Sequence, residues 1–156
     1  MMGRVEDRLI KNGINLPSAT KPIANYLPFI ISNNLIFISG QVPVIHDKPQ
    51  FLGQLGKDIT VEEGYQAARL CGINIIAQAK IACGGNLDRI KRVVKLGGFV
   101  NSSTDFVDQS KVINGASDLM VEVFGKDIGQ HARFAVSAPA LPLGVSVEID
   151  GTIEFQ

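Results

Sequence analysis

The chain of 156 residues has two cysteines, two histidines and few aromatics (6%), and its charges cancel at 15 basic against 15 acidic residues. Each scarcity excludes something. With no net charge, no global field draws nucleic acid or anionic membrane. The nearest basic run, Arg89, Lys91, Arg92 and Lys95, reads as the solvated side of a strand or helix end. Cys71 and Cys83 fall on one predicted helix, about 18 Å apart, too far to bridge. Neither has a second cysteine or a histidine near it in sequence, so both read as buried, reduced thiols and no metal site is expected. His46 and His131 are isolated as well. No segment reaches the roughly 18–20 apolar residues that span a bilayer. The first residues carry both signs of charge and no signal-peptide core, and Gly3 gives no acylation signal. The expected location is the cytoplasm.

What is present is apolar: 46% of residues are hydrophobic and the mean hydropathy is +0.19. That argues for one folded domain with a surface an oligomer would cover. Residues 1–15 read as an N-terminal extension with a short helix, and 16–156 as the domain.

The extension has Val5, Leu9 and Ile10 on one helical face and a stop at Asn12-Gly13. Residues 16–25, with Pro17 and Pro22, read as loop. Apolar runs at 27–31 and 35–39 flank Ser32-Asn33-Asn34 and predict a hairpin. Gly40-Gln41-Val42-Pro43 breaks the second strand, and 44–58 read as loop with a short edge strand. Gln41 would serve loop backbone groups or touch a ligand. Thr60-Val61-Glu62-Glu63 is a capping-box pattern. Behind it Val61, Tyr65, Ala68, Gly72, Ile75, Ile76, Ala79 and Cys83 recur mostly at steps of three or four, which predicts a long helix ending at Gly84-Gly85-Asn86. Residues 89–100 predict a strand with a kink or bulge at Gly97-Gly98. Thr104, Asp105 and Asp108 predict the start of a second helix, buried through Phe106, Val112, Ile113, Ala116, Met120 and Val123 and ended by Gly125.

In the C-terminal part, Val145, Val147, Ile149, Gly151, Ile153 and Phe155 alternate with Ser146, Glu148, Asp150, Thr152 and Glu154. Before a proline-marked turn, Ala132, Phe134 and Val136 alternate with His131, Arg133 and Ser137. His131 reads as a solvated strand end. If the two strands form a hairpin about Ala140-Leu141, Arg133 and Glu148 face each other. Such a pair can hold a substrate carboxylate and move a proton, or be a surface ion pair of about 0–1 kcal/mol. The resulting order is ββαβαββ, an α+β arrangement with two helices on one face of a mixed sheet.

Four segments carry a resemblance: Ala24-Asn25-Tyr26, Phe37-Ile38-Ser39-Gly40-Gln41-Val42-Pro43, the long helix followed by residues 93–101, and Arg133 through Glu148. Together they resemble the reactive-intermediate deaminase superfamily, the Rid or YjgF-like proteins, also known as L-PSP endoribonucleases. The resemblance implies a chorismate-mutase-like fold assembled as a homotrimer, with a central barrel of sheets, helices outside and clefts between subunits. It implies hydrolysis of enamines and imines derived from amino acids to a 2-keto acid and ammonia, with no metal and no organic cofactor. The residue matching Arg133 grips the substrate carboxylate, and that matching Glu148 positions water. Those matching Tyr26 and Gly40 line the cleft. Asn114 is the candidate for the family's cleft asparagine, and Ala135 stands on the cleft where short family members carry cysteine. Alternation puts Phe134 in the core.

Three functions follow: a deaminase, a trimer that binds small carboxylates without turnover, and an endoribonuclease. Neutral charge and few aromatics disfavour the third, since both weaken a grip on RNA.

Overall fold

The computed structural model describes residues 3–19 and 24–156; Met1, Met2 and residues 20–23, including Pro22 of the predicted loop, lie outside them. The elements are α1 (Arg4–Lys11), β1 (Phe29–Ser32), β2 (Leu35–Gln41), β3 (Val44–Ile45), β4 (Lys48–Pro49), α2 (Val61–Ala82), β5 (Ile90–Asn101), α3 (Gln109–Phe124), α4 (Lys126–Gly129), β6 (Ala132–Ala138) and β7 (Val147–Phe155). Five strands form one mixed sheet in the order β1-β2-β7-β5-β6, and β3 and β4 pair as a small separate ribbon.

The long helix α2 starts where its capping box predicts. Thr60 Oγ1 accepts from the Glu63 amide at 3.1 Å, and Glu63 Oε2 accepts from the Thr60 amide at 2.7 Å. Its apolar stripe and that of α3 cover one face of the sheet, where Ile75, Ile76, Ile113, Leu119 and Met120 meet Leu96, Ile149 and Ile153 in a fully buried core. The two helices cross closely because Gly115 lies against the Tyr65 carbonyl, leaving no room for a side chain. Both cysteines are buried and unbridged. Burial pushes the Cys71 thiol well up.

Among the described residues, no helix covers the other face. Ile30, Phe37, Phe99 and Val136 lie exposed on it. Phe134 joins them, its ring edge-on to Phe99 at 5.3 Å. Phe134 is therefore not in the helix-side core where alternation placed it.

Four other expectations are corrected. The final hairpin does not form: β6 pairs parallel to β5, while β7 pairs antiparallel to β5 on its other side and to β2. The segment between β6 and β7 crosses the end of β5 instead of turning back. It is pinned there by Gly53 N–H donating to Gly144 O at 2.9 Å and Ser146 N–H donating to Phe51 O at 3.0 Å. Second, Gly97 and Gly98 are not a bulge; the register shifts of β5 fall between Ile90 and Lys95. The two glycines give clearance, Gly97 for Asp150 and Phe134 and Gly98 for Ile113. Third, α3 begins at Gln109 with Asp108 as its N-cap residue, while Thr104 and Asp105 lie in the preceding turn, where the Ser103 hydroxyl donates to Asp105 at 2.8 Å. Fourth, Ile10 is exposed on α1, whose buried residues are Val5 and Leu9.

Candidate functional site

Arg133 lies on the edge strand β6, directly opposite Leu96 of β5, which in turn is opposite Gly151 of β7. Residues opposite one another share a face. Leu96 is fully buried and Gly151 packs on Ile75, so Arg133 belongs to the helix face. Its guanidinium meets α3, donating from Nη1 to Ser117 Oγ at 3.0 Å and from Nη2 to the Ser110 carbonyl at 3.3 Å. Residues 110, 114, 117 and 121 recur on α3 at steps of three and four, so they form one stripe beside β6. Asn114, Ser117, Asp118, Val121, Gln130, His131 and Arg133 line an open groove of about 470 Å³ there. Ala135 is on the same face, packed against the core.

His131 also reaches this groove, which corrects its reading as a solvated strand end. It is half-buried, its Nε2 lies 2.9 Å from Ser117 Oγ, and its Nδ1 lies 2.7 Å from the Gly129 carbonyl. Burial, reinforced by the Arg133 charge, holds its pKa below the ordinary histidine value, against the opposing pull of the Gly129 carbonyl. Nothing local in the sequence joins Ser117 to His131. The usable signal is topological: parallel strands need a crossover, and here α3 is that crossover, laid beside β6.

Glu148 is on the opposite face. It lies across β5 from Phe99, which is opposite Val136, and both of these are exposed. On its other side β2 carries a bulge between Ile38 and Gln41, so Ser39 and Gly40 step out of register. Gly40 comes under the Glu148 carboxylate, where a Cβ would lie 2.6 Å from Oε1. The bulge is held from both ends. Ser39 binds back to the segment behind Tyr26, its amide to Pro28 O at 2.9 Å and its hydroxyl to Leu27 O at 2.7 Å. Gln41 Nε2 donates to Ser39 O at 2.9 Å, so Gln41 serves the backbone. Asn74 of α2 donates to the Val42 carbonyl at 3.0 Å. Tyr26, with its side chain exposed, belongs to this end of the sheet. Partial burial, and then the neighbouring Asp150 carboxylate, push the Glu148 pKa up.

The predicted residues therefore fall into two groups. Arg133 and Asn114 share the groove under the helices, with Ala135 on the same face. Gly40 and Glu148 share the open face, and the Tyr26 segment is tied to that end of the sheet through Ser39. Arg133 and Glu148 are not a cross-strand pair. Strand β5 lies between them, they sit three register positions apart, and they point to opposite sides. Their backbones are thus about 14 Å apart within one chain. Among the described residues, no group of three or more His, Cys, Asp or Glu is gathered to hold a metal, and no helix is long and apolar enough to cross a membrane.

Residues 6–149 match the model of the family described as YjgF/chorismate mutase-like, putative endoribonuclease. The Trypanosoma cruzi protein TCP17 is 47% identical over 153 residues, covering 98% of this chain and 95% of that protein. The crystal structure of Atu1372 from Agrobacterium tumefaciens is 47% identical, with a TM-score of 0.91 over 97% of this chain and 92% of that one. At the level of fold alone, Escherichia coli TdcF, solved with bound serine, aligns with a TM-score of 0.63 at 22% identity over 89% of this chain and 94% of its own.

Proposed function

Because the chain belongs to the YjgF/chorismate mutase-like family, we propose that it hydrolyses enamines and imines derived from amino acids, in clefts between copies of a homotrimer. The observation that carries this reading is the division of the candidate residues. One chain offers an arginine groove on its edge strand and a carboxylate with a glycine bulge on its open face, and these cannot meet within the chain. A neighbouring copy can bring its Glu148 to this Arg133. The exposed Ile30, Phe37, Phe99 and Val136 give the open face a reason to be covered. Bound serine in TdcF supports a small amino-acid-like ligand.

In this reading Arg133 holds the substrate carboxylate bidentately; it keeps its proton throughout. An enamine first gains a proton on carbon and becomes an imine. Water then forms a C–O bond at the electrophilic imine carbon, and its proton passes to Glu148. The raised pKa suits Glu148 to hold that proton and return it to nitrogen. The new hydroxyl then gives up its proton to Glu148 as the carbonyl forms, the C–N bond breaks with its electron pair leaving on nitrogen, and ammonia and a 2-keto acid result. The Gly40 backbone lies open beside the carboxylate. Since the imine is already activated, orientation supplies most of the rate.

A trimer that binds carboxylates without turnover is the second reading, favoured by Ala135, which has no side-chain group to offer where short relatives carry a thiol. The test generates 2-aminoacrylate in situ and follows ammonia and keto-acid release. Acceleration by wild type, lost in Arg133→Ala and Glu148→Gln, supports the deaminase. Binding of a keto acid without acceleration moves the conclusion to the second reading. Cleavage of single-stranded RNA by the same purified protein would move it to the endoribonuclease.

A further inference from the structure

The hydrogen bonds behind Arg133 have a forced direction. The Gly129 carbonyl can only accept, so His131 carries its proton on Nδ1, 2.7 Å away. The Nε2 of that neutral ring is then an acceptor, and Ser117, at 2.9 Å, gives it the hydroxyl proton. Ser117 Oγ in turn accepts from Arg133 Nη1 at 3.0 Å. Ser117 has one proton to donate, and the histidine takes it. In this state its hydroxyl has nothing to give a molecule bound at Arg133.

A proton added to His131 reverses one link. Nε2–H then donates to Ser117, whose two lone pairs are filled by His131 and Arg133. The Ser117 O–H turns away from the ring, and an anion on the guanidinium is placed to accept it. We propose that Ser117 and His131 complete a three-residue carboxylate subsite with Arg133, in which capture of the ligand carboxylate is coupled to uptake of a proton by His131. This rests on Arg133 being the carboxylate clamp.

The charges around the ring fit such coupling. The groove presents Arg133 from β6 and Asp118 from α3, and Asp118 is engaged by the Tyr65 hydroxyl of α2 at 2.7 Å. The remaining lining residues, Asn114, Val121 and Gln130, are uncharged, and α4 contributes the Gly129 carbonyl. Glu122, next along α3, is paired with Arg69 of α2 at 2.9 Å. Burial first, and also the Arg133 charge beside it, lower the pKa of the ring within one chain. A carboxylate on Arg133 cancels that charge and supplies the acceptor that the turned hydroxyl needs. Both effects favour the protonated ring.

The chain has two histidines, so their imidazole nitrogens can be followed separately by nitrogen NMR across a pH titration. Without ligand, His131 is expected as the Nδ1–H tautomer, titrating below the ordinary histidine range. Saturating pyruvate is expected to move its midpoint up by about one pH unit. Pyruvate affinity then rises about tenfold as pH falls between the free and bound midpoints. Ser117→Ala should still bind pyruvate but show a clearly smaller shift of His131, because only the effect of the cancelled Arg133 charge remains, and Ser117→Thr, which keeps the hydroxyl, should recover the full shift. If pyruvate binds in an Arg133-dependent way and the His131 midpoint stays put, the coupling is overturned and the clamp stands. A Ser117→Ala protein that responds as wild type also overturns it. If wild type binds no pyruvate at pH 5.5 or 8, or Arg133→Ala binds it equally well, the clamp and the coupling fall together.

Discussion

The Glu148 carboxylate lies over Gly40 so closely that a methyl group on Gly40 would come within 2.6 Å of Oε1. Gly40 is not among the glycines held at positive φ, so alanine there brings a collision and no backbone strain. The atom that must move is the end of a flexible side chain. Gly40→Ala is therefore expected to cost about 1 kcal/mol of stability or less. Its effect on turnover should be larger, about tenfold to a hundredfold, because a misplaced catalytic group loses rate steeply. Thermal melts and deaminase kinetics on one preparation check this. Equal losses in both, or neither, would count against Glu148 as the proton-handling group.

The raised pKa of Glu148 sets a pH dependence of unusual sign. Burial first, and Asp150 second, disfavour its charged form in the folded chain. The folded state therefore holds a proton more tightly there than the unfolded state does. The stability this gives is present below the unfolded value, about pH 4, and is lost as pH rises through the folded one. Glu148→Gln keeps the shape and cannot ionise. Made in an Arg133→Ala background, where no neighbouring guanidinium opposes the shift, it should melt higher than its parent at pH 7–8, and the two curves should converge near pH 4. A glutamine variant that is less stable at pH 8 would contradict this. Turnover should be abolished throughout by Glu148→Gln alone.

What could be read from the sequence was local. The Thr60–Glu63 box and the stripe of α2 are periodic signals within one element, and both stand in the structure. The alternation of β7 holds for the same reason. Strand β6 defeats that logic, because alternation gives a period and leaves the phase open. Alternation puts Phe134 inward as the large apolar residue, yet the uncovered face carries large apolar side chains too, and Phe134 lies there against Phe99. Arg133 took the other face with it, and the supposed hairpin with Glu148 disappeared. Ser117 and His131 were out of reach because the crossover that joins them is a property of the whole sheet.

Asp88 shows the same non-local character. Its carboxylate caps α1 from far along the chain, accepting from the Arg4 and Val5 amides, both at 2.9 Å. The Val5 amide is the main reason its pKa lies below the usual carboxylate value, with the Arg4 amide adding to it. A depressed pKa gives stability above the unfolded value that disappears as pH falls through the folded one, so this cap is lost only below about pH 4. Asp88→Ala should cost about 1 kcal/mol, the usual worth of a helix N-cap. The loss should be confined to the extension: amide exchange over residues 4–11 speeds up, while α2 and α3 keep their protection. Uniform acceleration across the chain would show that α1 is not a separable docked element.

If Arg133 and Glu148 act across an interface, two dead proteins should repair each other. Arg133→Ala lacks the clamp and Glu148→Gln lacks the base, so each homotrimer alone is inactive. Mixed by unfolding and refolding at equal amounts, they form hybrids. A site works where a chain with an intact Arg133 meets a neighbour with an intact Glu148. In a cyclic assembly of randomly mixed chains that holds at about one interface in four. Activity should therefore return to about a quarter of the wild-type level. If both residues served one site within one chain, every chain in the mixture would still lack one of them, and nothing would return. The double variant Arg133→Ala/Glu148→Gln mixed with wild type is the control. There a site needs both neighbours to be wild type, and activity should fall to about the same quarter, well below the half expected of independent chains. The two mixtures together decide whether the cleft belongs to one chain or to two.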